Sequence, residues 1–186
     1  MRSALWRLAF ALVMLPPLVA SRELETHNPY KIEAAFLRNF AHYVTWPSTA
    51  FPKNRSSWHI GILGPDPFGK VMEETLEGRV EQGLPFSVFR ADSLVDLPQC
   101  QIIYIAYKDA RRRRAVLNIL KDKPVLTVSE AEDFLIEGGV IRFQVNDKVS
   151  MGVNLDQAKR SLLSIQTKVL EVSRDILENG VVSRVR

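Results

Sequence analysis

The stretch YKIEAAFLRNFAHYVTWP, residues 30–47, organises the fold that the sequence predicts. At helical spacing its apolar residues form one stripe and its charged residues point the other way, which is typical of an amphipathic helix that covers a core. Pro29 suits a first helical turn, and Pro47 disfavours helical backbone at Trp46, so both ends are marked. The predicted stripe contains Ile32, Phe36, Phe40 and Tyr43, with Ala35 and Val44 beside it, and Lys31, Arg38 and His42 face outward. We expect Phe36, Leu37 and Phe40 to anchor this helix on a sheet.

The composition is that of an ordinary globular protein: 186 residues, 46% hydrophobic and 25% charged. The formal charge is +4, but Arg2 and Arg7 lie in a segment that we expect to be removed, which leaves 23 basic against 21 acidic residues, or +2. So small an excess gives no argument for binding nucleic acid.

The first twenty residues resemble a secretory signal peptide. Two arginines without an acid precede the apolar run at residues 8–15, and the sequence LVA at residues 18–20 is a small-residue cleavage pattern. Prolines 16 and 17 interrupt the apolar segment, which falls short of the roughly 20 residues needed to span a bilayer. We therefore expect an exported protein without a membrane-spanning helix. The predicted organisation is a signal peptide at 1–20, a flexible leader at 21–29, a single domain at 30–180 and a tail at 181–186.

Apolar periodicity along the remaining chain predicts an α/β domain. Strands are predicted at 58–63, 85–90, 101–106 and 125–128, followed by a hairpin of 140–145 and 148–153. Helices are predicted from Asp66-Pro67 onward, at 108–121, at 130–136 behind Ser129, and at 155–177. These elements predict a single layered domain, with a central mixed sheet of about five or six strands, a C-terminal hairpin and helices on both faces.

The loop GPDPFG, residues 64–69, joins a predicted strand to a predicted helix. Asp66 can cap the free N–H groups of that helix and Pro67 suits its first turn. Such loops in open α/β sheets also bind ligands, although the glycine spacing of nucleotide-binding loops is missing here. Capping is the simpler interpretation, and Gly64, Asp66 and Gly69 are the candidate ligand-binding residues.

The sequence lacks a recognisable catalytic or metal-binding motif. His27, His42 and His59 are scattered, and the chain has no HExxH, paired-cysteine or GxSxG pattern. Cys100 is the only cysteine, so no intrachain disulfide can form, and we expect it to be a buried apolar residue. Arg111–Arg114 spread around a helix and are expected on its solvated surface. We therefore expect a protein that is not an enzyme and binds neither cofactor nor metal.

Four blocks together resemble the YfiR-like family of periplasmic regulators. They are KIEAAFLRNFAHYVTWP, WHIGILGPDPFGKVMEETL, PVLTVSEAEDFLIEGGVIRF and VNLDQAKRSLLSIQTKVLEVS, which run from Lys31 to Ser173. The resemblance implies a protein that binds the periplasmic sensor domain of an inner-membrane diguanylate cyclase and represses it. It also implies release of that cyclase when a peptidoglycan-binding outer-membrane lipoprotein sequesters the regulator, so that cyclic-di-GMP, exopolysaccharide and biofilm formation rise.

This chain departs from the family pattern at two points. Well-studied members carry four cysteines in two disulfides, whereas only Cys100 is present here, so intrachain redox control does not carry over. A late strand with a pattern like F-E-I-N in the family reads Met151-Gly152-Val153-Asn154 here, and its acid is lost at Gly152. That loss puts the identity of the partner in doubt.

Two functional hypotheses follow. A regulator that works through protein contact needs an exposed apolar surface, and the candidate residues are Met151, Gly152, Val153, Asn154, Leu155, Leu162 and Leu163. Those residues equally suit closing the core. The alternative is a periplasmic module that senses a nucleotide or an amino acid through the Gly64–Gly69 loop and feeds a membrane histidine kinase. For assembly, the default expectation is an isologous homodimer.

Overall fold

The computed structural model describes residues 28–184. The predicted signal peptide at 1–20 and all but the end of the predicted leader lie outside the described residues, as do residues 185–186. Within 28–184, no helix combines the length and apolar character that crossing a bilayer requires.

Eleven strands are formed by the described residues, nine of them in one mixed sheet. In chain order they are β1 (Val44–Thr45), β2 (Trp58–Leu63), β3 (Val80–Glu81), β4 (Leu84–Ala91), β5 (Ile102–Ile105), β6 (Leu126–Ser129), β7 (Ile141–Val145), β8 (Val149–Asn154), β9 (Ser164–Ile165), β10 (Ser173–Glu178) and β11 (Val181–Arg184). Strands β1 and β9 pair with each other, and the large sheet has the order β11-β10-β8-β7-β6-β5-β2-β4-β3.

The middle of the sheet is parallel, with the order β4-β2-β5-β6-β7. The chain leaves β2 toward one edge, to form β4, and then continues toward the other edge from β5. The strand order therefore reverses between β2 and β5, which is the place where open α/β sheets bind ligands. All four residues of β5 are buried, as its continuous apolar run predicts for a strand covered on both faces.

Helices cover both faces of the sheet. Helices α1 (Pro29–Tyr43) and α2 (Lys70–Leu76) pack on one face, where Phe40 and Met72 join the larger apolar core. Helix α3 (Ala110–Leu120) covers the other face, where Leu117 packs in a second core with Ile103 and Phe134. The predicted α/β class, mixed sheet and covering helices are confirmed. The strand count is larger than the predicted five or six.

The hairpin predicted late in the sequence is present. Strands β7 and β8 pair antiparallel, with Ile141 opposite Val153 and Phe143 opposite Met151. It is not the end of the sheet, because β10 lies parallel to β8 and β11 pairs antiparallel with β10. Residues 181–184, which the sequence assigns to a tail, thus form an exposed edge strand.

Helix α1 begins as predicted and ends earlier than predicted. The Asn28 side chain accepts a hydrogen bond from Tyr30 N (3.1 Å), and Pro29 occupies the first turn. The helix stops at Tyr43, before the end that Pro47 marks at Trp46, because Val44 becomes extended and pairs with Ile165 of β9.

The buried stripe of α1 is rotated by about one residue from the predicted one. Phe36 is only partly buried, whereas Leu37 and Phe40 are buried, so two of the three expected anchors lie in the core. The fully buried positions are Glu33, Ala34, Leu37, Phe40 and Ala41. A carboxyl group, that of Glu33, thus lies on the buried stripe.

The predicted long helix at 155–177 is wrong. Helix α4 (Leu155–Arg160) ends where Leu162 takes a positive φ of 57°, and a short helix α5 (Thr167–Glu171) follows β9. Residues 173–178 alternate between buried and more exposed positions and pair with β8 as β10. Strand pairing has overridden the apparent helical period in this segment.

Two shorter helix predictions also need correction. Helix α2 begins at Lys70, after the 64–69 loop, instead of directly behind Asp66. Residues 130–136 form successive turns, with Phe134 N bonded to Ala131 O (3.0 Å) and Glu137 N to Asp133 O (2.8 Å). These turns bring a group of acidic residues to the end of β6.

Candidate functional site

A crevice of about 590 Å³ opens at the carboxyl ends of β2, β5 and β6. It lies at the reversal of strand order, and its size is within the range of about 300–1,000 Å³ that small-ligand sites occupy. Its lining includes Tyr30 from α1, Tyr104 from β5 and residues of the loops after β2 and β6, among them Asp66, Glu130, Glu132 and Asp133.

The Glu33 carboxyl is 0% exposed and does not itself line this crevice, but it lies next to two lining residues, Tyr104 and Glu130. Among residues 28–184, neither of its oxygens has a hydrogen-bond partner of ordinary geometry, although the Tyr104 hydroxyl and the Glu130 carboxyl are close enough to affect it. Burial raises the pKa of Glu33 to about 9, and repulsion from Glu130 adds to that increase. At neutral pH Glu33 is therefore protonated. A buried polar group without a partner is rare in native proteins and calls for an explanation.

Two tyrosines share the electrostatics of this carboxyl. Burial raises the pKa of Tyr104, and the nearby Glu33 and Glu130 raise it further. Burial also raises the pKa of Tyr30, again with contributions from Glu130 and Glu33. The rings of Tyr30 and Tyr104 both pack edge-on against Phe68, at centroid distances of 5.7 and 4.8 Å. Acidic groups and aromatic rings thus meet at one end of the sheet.

On the opposite face a buried carboxylate has the partners that Glu33 lacks. Arg113 Nε and Nη2 donate to the two oxygens of Glu137 (2.8 and 2.9 Å), and Arg113 Nη1 donates to the carbonyls of Tyr107 and Lys108. This bidentate pair fixes the 130–137 turns against α3. Arg113 is buried, which corrects the expectation of four solvated arginines, whereas Arg111, Arg112 and Arg114 are exposed.

Of the three candidate ligand-binding residues, Asp66 lines the crevice, and Gly64 and Gly69 do not. Its carboxylate accepts from Phe68 N (2.8 Å) and Arg90 Nε (2.7 Å), so it holds the loop's turn. Gly64 has a φ of +96°, and a Cβ there would lie 2.7 Å from the Tyr107 ring. Gly69 is the residue before α2 and has a φ of +52°. Both glycines shape the loop, and ligand binding by the three residues stays a prediction.

The candidate partner-binding residues lie together around β8 and α4, and most of them are inside the protein. Leu155 is partly buried and Leu162 is 64% exposed. The other five, Met151, Gly152, Val153, Asn154 and Leu163, are buried. Asn154 caps α4 through Gln157 N (2.8 Å) and donates to Leu135 O (2.8 Å). Partner binding by this set stays a prediction, and Leu162 is its most accessible member.

Charged residues on both neighbouring strands flank Gly152. Arg142 of β7 and Asp175 of β10 are the residues in register with it. Arg142 Nη2 lies 3.2 Å from Asp175 Oδ2, which also accepts from Gln144 Nε2 (2.7 Å). A Cβ on Gly152 would lie 2.9 Å from Leu135 Cδ1 and 3.5 Å from Asp175 Cβ. Asp175 thus places a paired carboxylate beside Gly152.

The remaining candidates stay isolated. Cys100 is buried, and burial raises the pKa of its thiol to about 12. His42 lies 3.1 Å from Glu81 and His59 lies 2.9 Å from the Gln99 carbonyl, while His27 falls outside the described residues. Among residues 28–184, no three His, Cys, Asp or Glu side chains are grouped so that they could hold a metal ion.

Sequence reasoning missed Glu33, Tyr104 and Glu130 as one group. Glu33 precedes the buried Leu37 and Phe40 by four and seven residues, so its place on the apolar stripe was a readable signal. Tyr104 and Glu130 meet it only through the pairing of β5 with β6, which no local pattern reveals.

Comparison with protein families finds a match to most of this chain. A family model described as YfiR/HmsC-like matches residues 30–174, which is 145 of the 186 residues. The matched segment runs from the first turn of α1 into β10 and therefore contains both the crevice and the β8–α4 region.

Proposed function

The chain belongs to the YfiR/HmsC-like family, and on that basis we propose that it is a non-catalytic periplasmic regulator. Its target is the periplasmic sensor domain of an inner-membrane diguanylate cyclase, which it binds and represses. Cyclic-di-GMP and the biofilm and exopolysaccharide output that depends on it are then held low. A peptidoglycan-binding outer-membrane lipoprotein relieves the repression by sequestering the regulator.

The observation that carries this proposal is the family match from residue 30 to residue 174. It covers all but the first residue of the opening helix, the parallel strands β2, β4, β5, β6 and β7, and the hairpin. The lone buried Cys100 restricts the proposal, because regulation by an intrachain disulfide requires a second cysteine.

Leu162 is the residue through which we propose partner contact. Its exposed side chain follows α4, and its positive φ is uncommon for a non-glycine residue. The backbone there is held by Leu162 N bonded to Lys159 O (3.0 Å) and Leu163 N bonded to Ala158 O (2.9 Å). Leu163 is buried in the core, whereas the adjacent Leu162 is exposed to solvent. Arg160, which is exposed, adds positive charge near it, whereas Lys159 is paired with Glu178 (2.8 Å). This suits a partner with an apolar pocket and an acidic group at its rim.

Capture of membrane proteins tests the proposal. The purified protein, immobilised through a C-terminal tag, is incubated with detergent-solubilised inner membranes of the source cell, and the retained proteins are identified by mass spectrometry. We expect a diguanylate cyclase with a periplasmic domain among them. We further expect Leu162→Asp to lose it and Val95→Asp to retain it, since Val95 is an exposed valine at a distant turn. Repeated failure to recover any cyclase would count heavily against the proposal.

The crevice favours a second candidate function, that of a periplasmic module that senses a small ligand and feeds a membrane histidine kinase. Its supporting observation is the unpartnered Glu33 beside a cavity of ligand size. A thermal-shift screen with nucleotides and amino acids separates the two functions, because a ligand that binds only the folded form raises the melting temperature. A flat screen leaves protein contact as the proposed function.

A further inference from the structure

The strongest unexplained feature of the molecule is the unpartnered carboxyl of Glu33. Burying a polar group without a hydrogen bond costs free energy. In this protein the destabilising group lies next to residues that line an open crevice. Glu33 lies one helical turn before Leu37 on the buried side of α1, where an apolar residue would complete the core. A side chain that destabilises the free protein in this way is typical of a binding site, where a ligand supplies the missing interactions.

The charge of the crevice indicates the sign of that molecule. Two of its charged lining residues are already paired, since Asp66 binds Arg90 and Arg113 binds Glu137. Three further carboxylates, Glu130, Glu132 and Asp133, line the crevice together with one lysine, Lys108. The acidic side is in excess, so the crevice attracts a cation.

The aromatic lining indicates the kind of cation. Tyr30 and Tyr104 line the crevice beside the carboxyl groups of Glu33 and Glu130. A protonated amine can donate hydrogen bonds to carboxyl oxygens while its apolar part and its positive charge contact tyrosine rings. A volume of about 590 Å³ holds an organic molecule rather than a bare ion.

We propose that this crevice is a binding site for a small organic ammonium compound, with Glu130 contacting the amine, Glu33 supplying a second acidic group next to Glu130, and Tyr30 and Tyr104 contacting the carbon skeleton. The inference deepens the second candidate function, on which it rests, by naming the class of ligand and the residues that bind it. It does not depend on repression of a cyclase.

Isothermal titration calorimetry on the purified protein tests this site with phenethylamine as the probe. The matched control ligand is 2-phenylethanol, which has the same skeleton and carries no charge. We expect saturable binding of one phenethylamine per chain and at least tenfold weaker binding of the alcohol. Equal affinity for the two compounds, or no binding of phenethylamine at millimolar concentration, would overturn the proposal.

Variants locate the binding. A bound ammonium group favours the ionised form of Glu33, which is protonated in the free protein. Glu33→Gln keeps the size of the side chain and cannot ionise, so we expect at least a tenfold loss of phenethylamine affinity. Glu130→Gln, at an exposed position, provides the same test if Glu33→Gln fails to fold. Glu171→Gln is the matched control on exposed α5 and should bind like the parent protein.

The remaining outcomes also decide the question. Unchanged affinity in folded Glu33→Gln and Glu130→Gln would place the amine elsewhere and contradict the proposal. Titration with CaCl₂ provides the other arm: Ca²⁺ binding that depends on Glu33, without phenethylamine binding, would replace the ammonium site with a metal site. Phenethylamine binding in a protein that leaves cyclic-di-GMP unchanged in cells would support this inference while the proposed repression failed.

Discussion

The crevice and the β8–α4 region depart in opposite ways from the usual division between interior and surface. In the crevice a carboxyl group, Glu33, is fully buried, whereas behind α4 a large apolar side chain, Leu162, is exposed. Most charged residues are solvated and most buried positions are apolar. The comparison teaches that function in this protein is best sought at single residues that break the pattern, because the long apolar runs around both regions form the core.

Helix α1 supports both regions, and its packing should give the largest effect. Phe40 is 1% exposed and stacks on Phe143 of β7, next to β8, while Phe36 is only partly buried. We expect Phe40→Ala to lower the free energy of unfolding by about 3–5 kcal/mol and Phe36→Ala to lower it by less. Urea denaturation measures both changes. An equal or larger loss in Phe36→Ala would show that the buried stripe of α1 is the one predicted from sequence.

The adjacent leucines behind α4 provide the next test of the comparison. Leu163 is buried and Leu162 is exposed. We expect Leu163→Ala to cost about 2–5 kcal/mol of stability, and Leu162→Ala to stay within about 0.5 kcal/mol of the parent protein. Chemical denaturation of the two variants side by side gives the answer. Similar losses in both would mean that Leu162 packs in the core and is unavailable to a partner.

Glu33 makes stability depend on pH. Its folded-state pKa of about 9 lies above its ordinary value of 4.5, so the folded protein holds this proton more tightly than the unfolded chain. The resulting stabilisation is complete below pH 4.5 and is lost as the pH rises through about 9. Between pH 5 and pH 8, Glu33→Gln should therefore gain about 1.4 kcal/mol per pH unit relative to the parent protein. Urea denaturation at each pH measures the stability of both proteins. If the two free energies of unfolding change with pH in the same way, Glu33 is not held protonated in the folded protein.

Cys100 should give the smallest effect, because it lies in neither region. Its thiol is buried and its pKa is raised to about 12, so the reactive thiolate is scarce at pH 8. We expect iodoacetamide to leave the native protein unlabelled at pH 8 over a period in which the urea-unfolded protein reacts fully. Mass spectrometry detects the adduct. Rapid labelling of the native protein would indicate an accessible thiol and reopen intermolecular disulfide formation.

The fold was largely predictable because its central elements have strong local patterns. The continuous run in β5, the alternation in β7 and β8, and the proline that begins α1 each predicted the element that forms. The failures lie where non-local pairing decides the structure. Residues 173–177 were predicted to be helical from their spacing, but they belong to β10 because they pair with the edge of β8.

The candidate sites were less predictable for the same reason. An apolar run such as Met151–Val153 looks the same whether it faces a partner or the core, and only its neighbours on β7 and β10 decide. Asp66 could be named because its loop has a sequence signature. The group formed by Glu33, Tyr104 and Glu130 could not be predicted, because its members are far apart in sequence. Glu33 and Tyr104 are 71 residues apart, and Tyr104 and Glu130 are 26 residues apart.

Cellular cyclic-di-GMP is the quantity that tests the proposed repression most directly. Cells that lack this protein, cells complemented with the parent chain and cells complemented with Leu162→Asp are compared, with equal protein levels verified by immunoblot. The account predicts that cyclic-di-GMP rises on deletion, returns to the original level with the parent chain and stays high with Leu162→Asp. An unchanged level after deletion would contradict it.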